Sequence, residues 1–392
     1  NRIIILGSCP DSALGGSGKV IFSYINHYVR NNIKHIFLPI HTREGSRIFR
    51  VRPIIFSILK AIFIRIKHNS DINIIHHHHT TIFDLFSFFI IKSIMGIDRK
   101  KCFITFHNPK HFKNIKLLNE EFNHKKSNIL IKVLLLKKFL FFIYFRFISF
   151  LSDNFHFLNS INYEIVKNLI DKKIQINILP NPLTNSQRLI LKKNLKRKIK
   201  DFDSENQLIG TYSLMRKGKR LDRAIKMLNN LPINYSLVIG GRGPEENRLK
   251  ELVEKLNLES RVKFIGWINE EIKKNFFESI NFFIITSEAD TQSLVFLESI
   301  IYCKPVISVP NPVFKEIYPE GICAIYAKEA NSISLADEVI SFKRDQLFHK
   351  KSSQYILDHE KSYSYAENLL KWTIISIKIF KNLLSKTYYG SL

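Results

Sequence analysis

The chain of 392 residues carries 60 lysines and arginines against 34 aspartates and glutamates, a formal net charge of +26. This length exceeds one ordinary hydrophobic core and predicts two or three domains. Hydrophobic residues make up 45% and charged residues 24%, a globular composition that excludes wholesale disorder. The four cysteines are widely scattered, which indicates a reduced, cytoplasmic compartment rather than a disulfide framework.

The excess positive charge is compatible with nucleic acid, anionic lipid or a phosphate-bearing small molecule. Nucleic-acid binding usually brings a recognisable module, and the sequence shows no RNP-type aromatic motif, zinc-finger spacing or basic heptad region. We therefore expect no specific nucleic-acid partner. The cations are densest at Lys125–Lys138 and Lys192–Lys200. They fit either a solvated face or the surface of an anionic membrane.

The most apolar stretch is Asn128–Leu151. Its longest charge-free piece, Phe139–Phe145, lies between Lys138 and Arg146. A spanning helix needs about 20 mostly apolar residues, so no transmembrane segment is predicted here. Aromatic and cationic residues together suit a helix in the membrane interface, and a buried helix with lysine heads reaching solvent fits equally well.

Short β-branched runs, each bounded by a turn signal, alternate with segments of helical period along the whole chain. The predicted strands of the first half are Ile3–Leu6, His35–Leu38, Ile72–His76, Cys102–Phe106, Asn154–Leu158 and Gln175–Leu179. Those of the second half are Leu208–Gly210, Ser236–Ile239, Val262–Ile265, Phe282–Ile285 and Val306–Val309. After Gly243 a helix is predicted from Pro244, with apolar residues at helical spacing from Leu249 to Leu256.

This alternation predicts an α/β protein with two doubly wound parallel sheets, that is, two Rossmann-like domains facing each other across a cleft. We predict a first domain over 1–185, a basic and polar linker over 186–206 and a second domain over 207–355. A helical segment over 356–392, with a helix at Tyr365–Leu384, is expected to cross back to the first domain.

The first glycine-rich motif is Gly15–Lys19, after the first predicted strand. It resembles a phosphate-binding P-loop but lacks the required first glycine, where Ala13 stands, and the hydroxyl residue after lysine, where Val20 stands. It is therefore not an ATPase loop. Two interpretations remain open for this motif: a glycine loop beside a substrate, or a purely structural turn.

Two further loops follow strands of the second half. In Gly210–Gly218 the adjacent cations Arg216 and Lys217 suit a diphosphate, or else form a solvated basic turn. In Gly240–Pro244 the glycines Gly241 and Gly243 allow the backbone to approach a ligand closely. Many turns between a strand and a helix have this composition, so the second motif is weak alone.

The most specific motif is Asp290–Glu298. Asp290 is a good N-cap, which predicts a helix from Thr291. The backbone N–H groups of Gln292, Ser293 and Leu294 would then form an anion site at the helix N-terminus. Glu298 follows two helical turns after Asp290, on roughly the same face. The alternative is a capped helix with one solvated glutamate.

In combination, these motifs resemble family 4 of the retaining, nucleotide-sugar-dependent glycosyltransferases, which have the GT-B fold. The matching segments are Asp290 to Glu298 for the E-x7-E motif, Lys217-Gly218 for the lysine-glycine of the diphosphate loop, Gly241 to Pro244 for G-x-G-P, Gly15 to Gly18 for the N-terminal glycine loop, Asn181 for the hinge asparagine and His107 for the histidine after the fourth strand.

The resemblance implies that Lys217, helped by Arg216, binds the donor diphosphate. It implies that Glu298 holds the ribose and Asp290 the donor sugar hydroxyls, while His107 lies near the transferred sugar and the acceptor. The remaining donor contacts would come from Gly16, Gly241, Gly243, Gln292, Ser293 and Leu294.

The family transfers a hexosyl unit with retention, by front-face attack and without a metal or other cofactor. The implied donor is a UDP-sugar or GDP-sugar, and the implied acceptor a saccharide, expected to be lipid-linked, in surface polysaccharide or lipopolysaccharide synthesis. The implied location is cytoplasmic, peripheral at the inner, anionic face of the cell membrane.

The sequence also departs from the family. Thr211 follows Gly210 where an arginine is usual, and Ser293 and Cys303 replace customary glycines. These departures favour the alternative of a non-catalytic, sugar-nucleotide-binding or regulatory GT-B protein. The run His76–His79 alternates between the two faces of its strand, and a zinc site there needs further ligands that the sequence does not place.

Overall fold

In the computed structural model the chain divides into two compact units: unit 1 comprises Asn1–Pro182 with Lys361–Leu392, and unit 2 comprises Leu183–Glu360. The structure describes residues 2–8, 20–22, 24, 25, 29, 34–41, 52–67, 72–79, 82–107, 128–181, 183, 185–196, 206–287, 290, 292–342 and 348–358.

Unit 1 contains a six-stranded, wholly parallel sheet with strand order β2-β1-β3-β4-β5-β6. The strands are β1 (Arg2–Ser8), β2 (His35–His41), β3 (Ile72–His79), β4 (Cys102–Phe106), β5 (Asn154–Phe157) and β6 (Gln175–Ile178). β-branched and aromatic residues fill the central strands, and Ile4, Ile75, Ile104 and Phe155 are fully buried. Burial of both faces is the usual state of a parallel sheet.

The helices that lie wholly within the described residues of unit 1 include α1 (Arg52–Lys67), α2 (Ile82–Met95), α3 (Asn128–Leu151) and α4 (Ser160–Val166). The chain crosses from β2 to β3, β4 and β5 in one direction along the sheet. Since such crossovers are right-handed, α1, α2 and α3 cover the same face of the sheet. Phe89 of α2 packs on Phe147 of α3, with ring centroids 5.9 Å apart. In the part of the chain that the structure describes, no helix is long and apolar enough to cross a membrane.

Unit 2 contains a second six-stranded parallel sheet, with strand order β12-β11-β10-β7-β8-β9. Its strands are β7 (Gln207–Tyr212), β8 (Tyr235–Gly240), β9 (Val262–Gly266), β10 (Phe282–Ile285), β11 (Val306–Ser308) and β12 (Ile325–Tyr326). Its helices are α5 (Asn185–Leu195), α6 (Leu221–Leu228), α7 (Glu246–Lys255), α8 (Glu270–Ser279), α9 (Leu294–Ile301), α10 (Pro312–Ile317), α11 (Ser332–Ser341) and α12 (Phe348–Asp358).

All eleven predicted strands are present, with ends shifted by three residues or fewer. The two-residue strand β12 was missed because a run that short has no period. The helix predicted from Pro244 begins later, at Glu246, because Pro244 and Glu245 form a turn before it. Its predicted apolar face is correct, since Leu249 and Val253 are buried.

The predicted linker over 186–206 is wrong in its first half. Residues Asn185–Leu195 form α5, whose Leu191 and Asn194 are buried, and whose Asn194 amide donates to the Ile301 carbonyl of α9. The many basic residues of this segment obscured the apolar face of a helix. The predicted boundary at 355/356 also falls inside α12, which belongs to unit 2. The helix predicted at Tyr365–Leu384 lies outside the described residues.

Candidate active site

The candidate site of unit 2 contains the basic turn that follows β7. Lys217–Lys219 form a single 3₁₀ turn, and the side chains of Arg216 and Lys217 are exposed. The segment after β10 holds this turn through its backbone: the Thr286 hydroxyl donates to the Lys219 carbonyl at 2.7 Å, and the Ser287 hydroxyl donates to the Gly218 carbonyl at 3.4 Å. The two predicted diphosphate cations therefore lie on an anchored turn and point into solvent.

The glycine turn after β8 packs directly against the turn after β7. Gly241 and Gly243 have φ angles of 115° and 157°. A Cβ on Gly241 would lie 1.9 Å from the Ser213 carbonyl oxygen, and one on Gly243 would lie 2.4 Å from that of Met215. The glycines predicted to allow approach of a ligand thus allow, in this structure, close packing of two loops at the carboxyl edge of the sheet.

Asp290 lies beside the basic turn. The Lys219 ammonium donates to both carboxylate oxygens of Asp290, at 2.7 and 2.8 Å. The prediction that Asp290 caps a helix is wrong, because its carboxylate is bound to Lys219 and the helix starts further on, at Leu294. Asp290 precedes the helix and therefore does not share a helix face with Glu298.

The helix starts late because Ser293 breaks the helical backbone, with φ 61° and ψ 94°. Of the three predicted anion-binding N–H groups, that of Leu294 lies at the true helix start. Gln292 is buried, and its side chain is hydrogen-bonded to Tyr318. Cys303 also has a positive φ, 59°. Ser293 and Cys303, the two positions at which the family usually has glycine, thus both have a positive φ angle here. Glycine adopts such an angle without strain, which explains why the family usually has it there.

Glu298 is buried, and both of its oxygens are bound. The Lys273 ammonium of α8 donates to Oε1 at 2.8 Å, and the Tyr212 hydroxyl at the end of β7 donates to Oε2. The side chains of Lys273 and Glu298 are only 4% and 8% exposed. The alternative of a solvated glutamate is therefore wrong. A buried ion pair of this kind fixes the position of the carboxylate.

Lys219, Lys273 and Tyr212 were missed as site residues. Lys219 had a signal, because it lies two residues after Lys217 in the same turn. Lys273 also had one, because it is on the helical face of the buried residues Phe276, Phe277 and Ile280. A lysine on an apolar face indicates a buried acidic partner. Tyr212 ends a strand of ordinary composition and carried no such signal.

A separate candidate site lies at the carboxyl edge of the unit 1 sheet, where histidines of β3 and β5 meet the histidine that follows β4. His107 directly follows β4, as predicted, and is half-buried. Its Nε2 lies 2.8 Å from Nδ1 of His78, and the two rings are stacked with centroids 5.1 Å apart. His77 points to the opposite face of the sheet and stacks on Phe88 of α2.

Thr105 joins the neighbouring histidines into a chain of hydrogen bonds. His156 Nε2 must donate to the Leu179 carbonyl, 2.8 Å away, since a carbonyl only accepts. In the neutral ring Nδ1 then accepts from the Thr105 hydroxyl at 3.1 Å, and that hydroxyl accepts from His76 Nε2 at 2.8 Å. The His76 ring lies 4.2 Å from that of His78. The hydrogen bonds therefore assign the tautomers of His76 and His156.

Burial keeps these imidazoles neutral. Loss of hydration, together with the charge of His156, lowers the pKa of His107 to about 3. Loss of hydration, together with the charge of His107, lowers the pKa of His77 to about 3. Loss of hydration also lowers the pKa of His156 to about 4, against the opposing effect of its bond to Leu179.

Two site predictions are not tested by this geometry. Gly16 and the rest of the glycine loop Gly15–Lys19 lie outside the described residues. Asn181, the predicted hinge asparagine, is buried at the end of unit 1. As for a metal, the described residues contain no group of three or more histidines, cysteines, aspartates or glutamates that could hold an ion.

Two doubly wound parallel units, the second with basic and acidic groups at its carboxyl edge, define the GT-B class. The glycosyltransferase group 1 family matches residues 192–359, less than half of the chain, and this match agrees with the resemblance that the sequence motifs had indicated.

The chain is 24% identical over 247 residues to the alpha-monoglucosyldiacylglycerol synthase of Streptococcus pneumoniae, a match that covers 58% of this chain and 55% of that protein. It is 28% identical over 171 residues to the Escherichia coli O-antigen biosynthesis glycosyltransferase WclY, covering 44% of this chain and 47% of that one. The chain thus spans about half the length of the curated relatives it matches.

The fold is similar to that of solved structures over nearly its whole length. Anabaena Alr3699/HepE in complex with UDP-glucose superposes with a TM-score of 0.60 at 14% identity, covering 98% of this chain and 99% of that one. At this identity the similarity establishes the GT-B fold alone.

Proposed function

We propose that the protein transfers a hexosyl unit from a nucleoside-diphosphate sugar to a saccharide acceptor in the synthesis of a surface polysaccharide, lipopolysaccharide or glycolipid. One observation carries the proposal: in a group 1 chain, the exposed cations Arg216 and Lys217 lie on a turn anchored beside the acidic residues of the E-x7-E motif. Both the diphosphate and the sugar of a donor have complementary groups on this edge.

The chemistry follows from the charges on this edge. Departure of the nucleoside diphosphate develops negative charge, which Lys217 and Arg216 would stabilise. Because the anchored turn already holds these cations in place, they need not move when the negative charge develops on the leaving group. We propose transfer with retention by front-face attack and without a metal ion, and a UDP-sugar or GDP-sugar as the donor. UDP is the nucleotide bound in the related HepE structures.

A second candidate, a GT-B protein that binds sugar nucleotides without transfer, is favoured by the state of the two acidic residues. Asp290 is bound to Lys219, and Glu298 to Lys273 and Tyr212. An active enzyme would have to place the donor hydroxyls on carboxylates that already have partners. An ionised carboxylate accepts about four hydrogen bonds, so each retains capacity for a hydroxyl.

The test is release of nucleoside diphosphate from a panel of UDP- and GDP-sugars, with and without EDTA, followed by NMR of the anomeric proton of the product. We expect EDTA-insensitive release with one nucleotide, an α-linked product from an α-linked donor, and loss of release in Lys217→Ala. Binding without release identifies the second candidate, and an inverted product contradicts retention. Lys250→Ala is the matched control, since Lys250 is an exposed lysine on α7 that pairs with Glu246.

We further propose that unit 1 is the acceptor-side unit and docks on an anionic membrane surface. On one face of unit 1, α1 exposes Phe56, Leu59 and Phe63, and α3 exposes Leu136 and Phe139. Each of these residues is 58 to 62% exposed to solvent. This set, with its neighbours on both helices, is the apolar face. Exposed lysines accompany it at Lys60 and Lys137, and neither helix sequence contains an acidic residue.

Apolar side chains flanked by cations are the composition of a helix that lies in the membrane interface. The predicted alternative of a buried Asn128–Leu151 helix is wrong for this exposed side, although Phe145 and Ile148 on its other side are fully buried. A peripheral position at the inner leaflet would bring the protein to a lipid-linked acceptor.

Vesicle flotation tests the docking. We expect the protein to float with phosphatidylglycerol vesicles at low salt and not with phosphatidylcholine vesicles, and to lose flotation when Phe56, Phe63 and Phe139 are each replaced by serine. Ile233→Ser is the control, because Ile233 is 80% exposed on unit 2. Unchanged flotation in the triple variant would contradict the proposed docking face.

A further inference from the structure

The histidine run His76–His79 of the sequence is not used by the function proposed above, yet β3 places part of it against His107. In the parallel register of β3 and β4, His78 lies opposite Thr105, two residues before His107. This register brings Nδ1 of His78 within 2.8 Å of Nε2 of His107. His78 is fully buried, whereas His107 is half-buried at the end of its strand.

The neighbours of His78 hold its ring in place from several sides. Tyr24, in a helical segment after β1, packs edge-on against His78 and His76, with ring centroids at 5.1 and 5.3 Å. His76 is in turn fixed by Thr105, which is fixed by His156 and the Leu179 carbonyl. The titratable groups around the pair are therefore His76, His77, His156 and Tyr24.

We propose that His78 is the positioning residue of His107, binding its Nε2 so that Nδ1 is the ring nitrogen presented to the sugar substrate. The inference rests on the proposed function and on the role that the family resemblance implies for His107, beside the transferred sugar. One proton is shared between Nδ1 of His78 and Nε2 of His107, since neither ring is charged. The nitrogen that holds this proton decides whether His107 Nδ1 donates to a sugar hydroxyl or accepts from one.

Two substitutions of His78 distinguish a role in positioning His107 from a role in filling buried space. An asparagine side chain places its amide where histidine has Nδ1, whereas a glutamine places its amide nearer Nε2. Because His78 uses Nδ1, His78→Asn keeps a partner for His107 and His78→Gln does not. We expect His78→Asn to retain sugar transfer within about threefold, and His78→Gln to lose about tenfold or more in kcat. KM for the donor should change little, since the donor cations lie on unit 2.

The matched control is His77→Asn. His77 is equally buried on the same strand but points to the other face, where it stacks on Phe88 with ring centroids 4.9 Å apart. It therefore tests loss of a buried imidazole without loss of the contact to His107. If His78 had only a structural role, His78→Asn and His78→Gln would reduce activity equally, in proportion to the thermal stability that each variant loses. That result would overturn the proposal.

A second readout does not need activity. In protein labelled with ¹⁵N-histidine, imidazole ¹⁵N shifts report the tautomer and hydrogen bonding of each ring. We expect the His107 Nε2 signal, assigned with His107→Gln, to move in His78→Gln and to stay unchanged in His77→Asn. An unmoved signal in His78→Gln refutes the contact itself. If the wild-type chain releases no nucleotide from any donor, the proposed function fails, while this spectrum still decides whether His78 holds His107.

Discussion

The two units have the same architecture but opposite chemistry at the carboxyl edges of their sheets. In unit 1 the side chains that meet there are imidazoles and a hydroxyl, kept neutral by burial and joined by hydrogen bonds. In unit 2 they are charged and joined by ion pairs, Lys219 with Asp290 and Lys273 with Glu298. The fold supplies the edge in both cases, and the side chains decide which ligand it suits.

This difference agrees with the division of labour that we propose. A nucleoside diphosphate carries negative charge, and fixed cations on an anchored turn stabilise it. A sugar acceptor is neutral, and neutral donors and acceptors of fixed orientation recognise it without the cost of burying a charge.

The largest effect is expected for Glu298→Ala. The change leaves the Lys273 ammonium buried without its partner, which costs about 3–5 kcal/mol of unfolding free energy in comparable pairs. It should also abolish sugar transfer. A solvated glutamate at this position could be replaced with little loss of stability, but the buried pair predicts that unit 2 is destabilised. Chemical denaturation of Glu298→Ala measures the cost.

Two companion variants separate the causes. Glu298→Gln keeps the hydrogen bond from Tyr212, and Glu298→Leu combined with Lys273→Met removes both charges together. We expect the double variant to recover most of the lost stability and none of the activity. Equal stability of Glu298→Ala and the wild type would show that the pair is not formed in solution.

The second effect is acid instability confined to unit 1. The pKa values of His77 and His107 are lowered from 6.5 to about 3, and that of His156 to about 4, chiefly by loss of hydration. The unfolded chain therefore binds more protons below pH 6.5. Each such histidine removes about 1.4 kcal/mol of stability per pH unit as the pH falls from 6.5 towards its native pKa. Above pH 6.5 the contribution is constant.

The charged edge of unit 2 responds at a lower pH. Burial alone would raise the pKa of Asp222, but its ion pair with Arg220 outweighs burial and lowers the pKa below the ordinary value of 3.8. That stability is present above pH 3.8 and is lost only below it. Hydrogen–deuterium exchange at pH 7.5 and 5.0, corrected for intrinsic rates, should show protection lost in β3–β5 and kept in β7–β10. Equal loss in both sheets would contradict the neutral-histidine account.

A smaller effect is expected from Asp290→Asn. The change removes the charge that binds Lys219 at 2.7 and 2.8 Å, so the turn carrying Lys217 loses one anchor while Thr286 and Ser287 keep theirs. Side-chain exposure of 31% and 16% reduces the value of the pair. We expect about a tenfold weaker affinity for nucleoside diphosphate, about 1.4 kcal/mol, and little loss of stability. Calorimetric titration measures it, and unchanged affinity would show that the pair does not position the turn.

The smallest effects are stabilising. Ser293 and Cys303 hold φ angles of 61° and 59°, which a side chain with Cβ adopts at a cost of about 1 kcal/mol. Ser293→Gly and Cys303→Gly should each raise the unfolding free energy by about 0.5–1 kcal/mol, the relief of strain being partly offset by glycine's greater entropy in the unfolded chain. Thermal melting checks both. A fall in melting temperature would show that the hydroxyl or the thiol contributes more than the strain costs.

The sequence was sufficient for those parts of the fold that depend on local composition. The strands Phe282–Ile285 and Cys102–Phe106 are runs of β-branched and aromatic residues, and the structure has them as predicted. The turn at Lys217 and the position of His107 at a strand end followed from the same local patterns.

The sequence did not predict the long-range contacts between side chains or the local backbone geometry. Glu298 was expected to meet solvent or ribose because its partner Lys273 lies on another helix, 25 residues earlier. The late start of α9 depends on the positive φ angle of Ser293, which a serine at this position does not predict. The contact of His78 with His107 depends on the register of β3 against β4, which tertiary packing decides.

We propose above all that the anchored, charged edge of unit 2 binds a nucleoside diphosphate. A ligand that binds only the native state raises the melting temperature, so thermal shift with UDP, GDP, ADP and CMP in the presence of EDTA tests it directly. We expect a selective shift with UDP or GDP that Lys217→Ala abolishes and Lys250→Ala leaves intact. No shift with any nucleotide, or the same shift in Lys217→Ala, would contradict it.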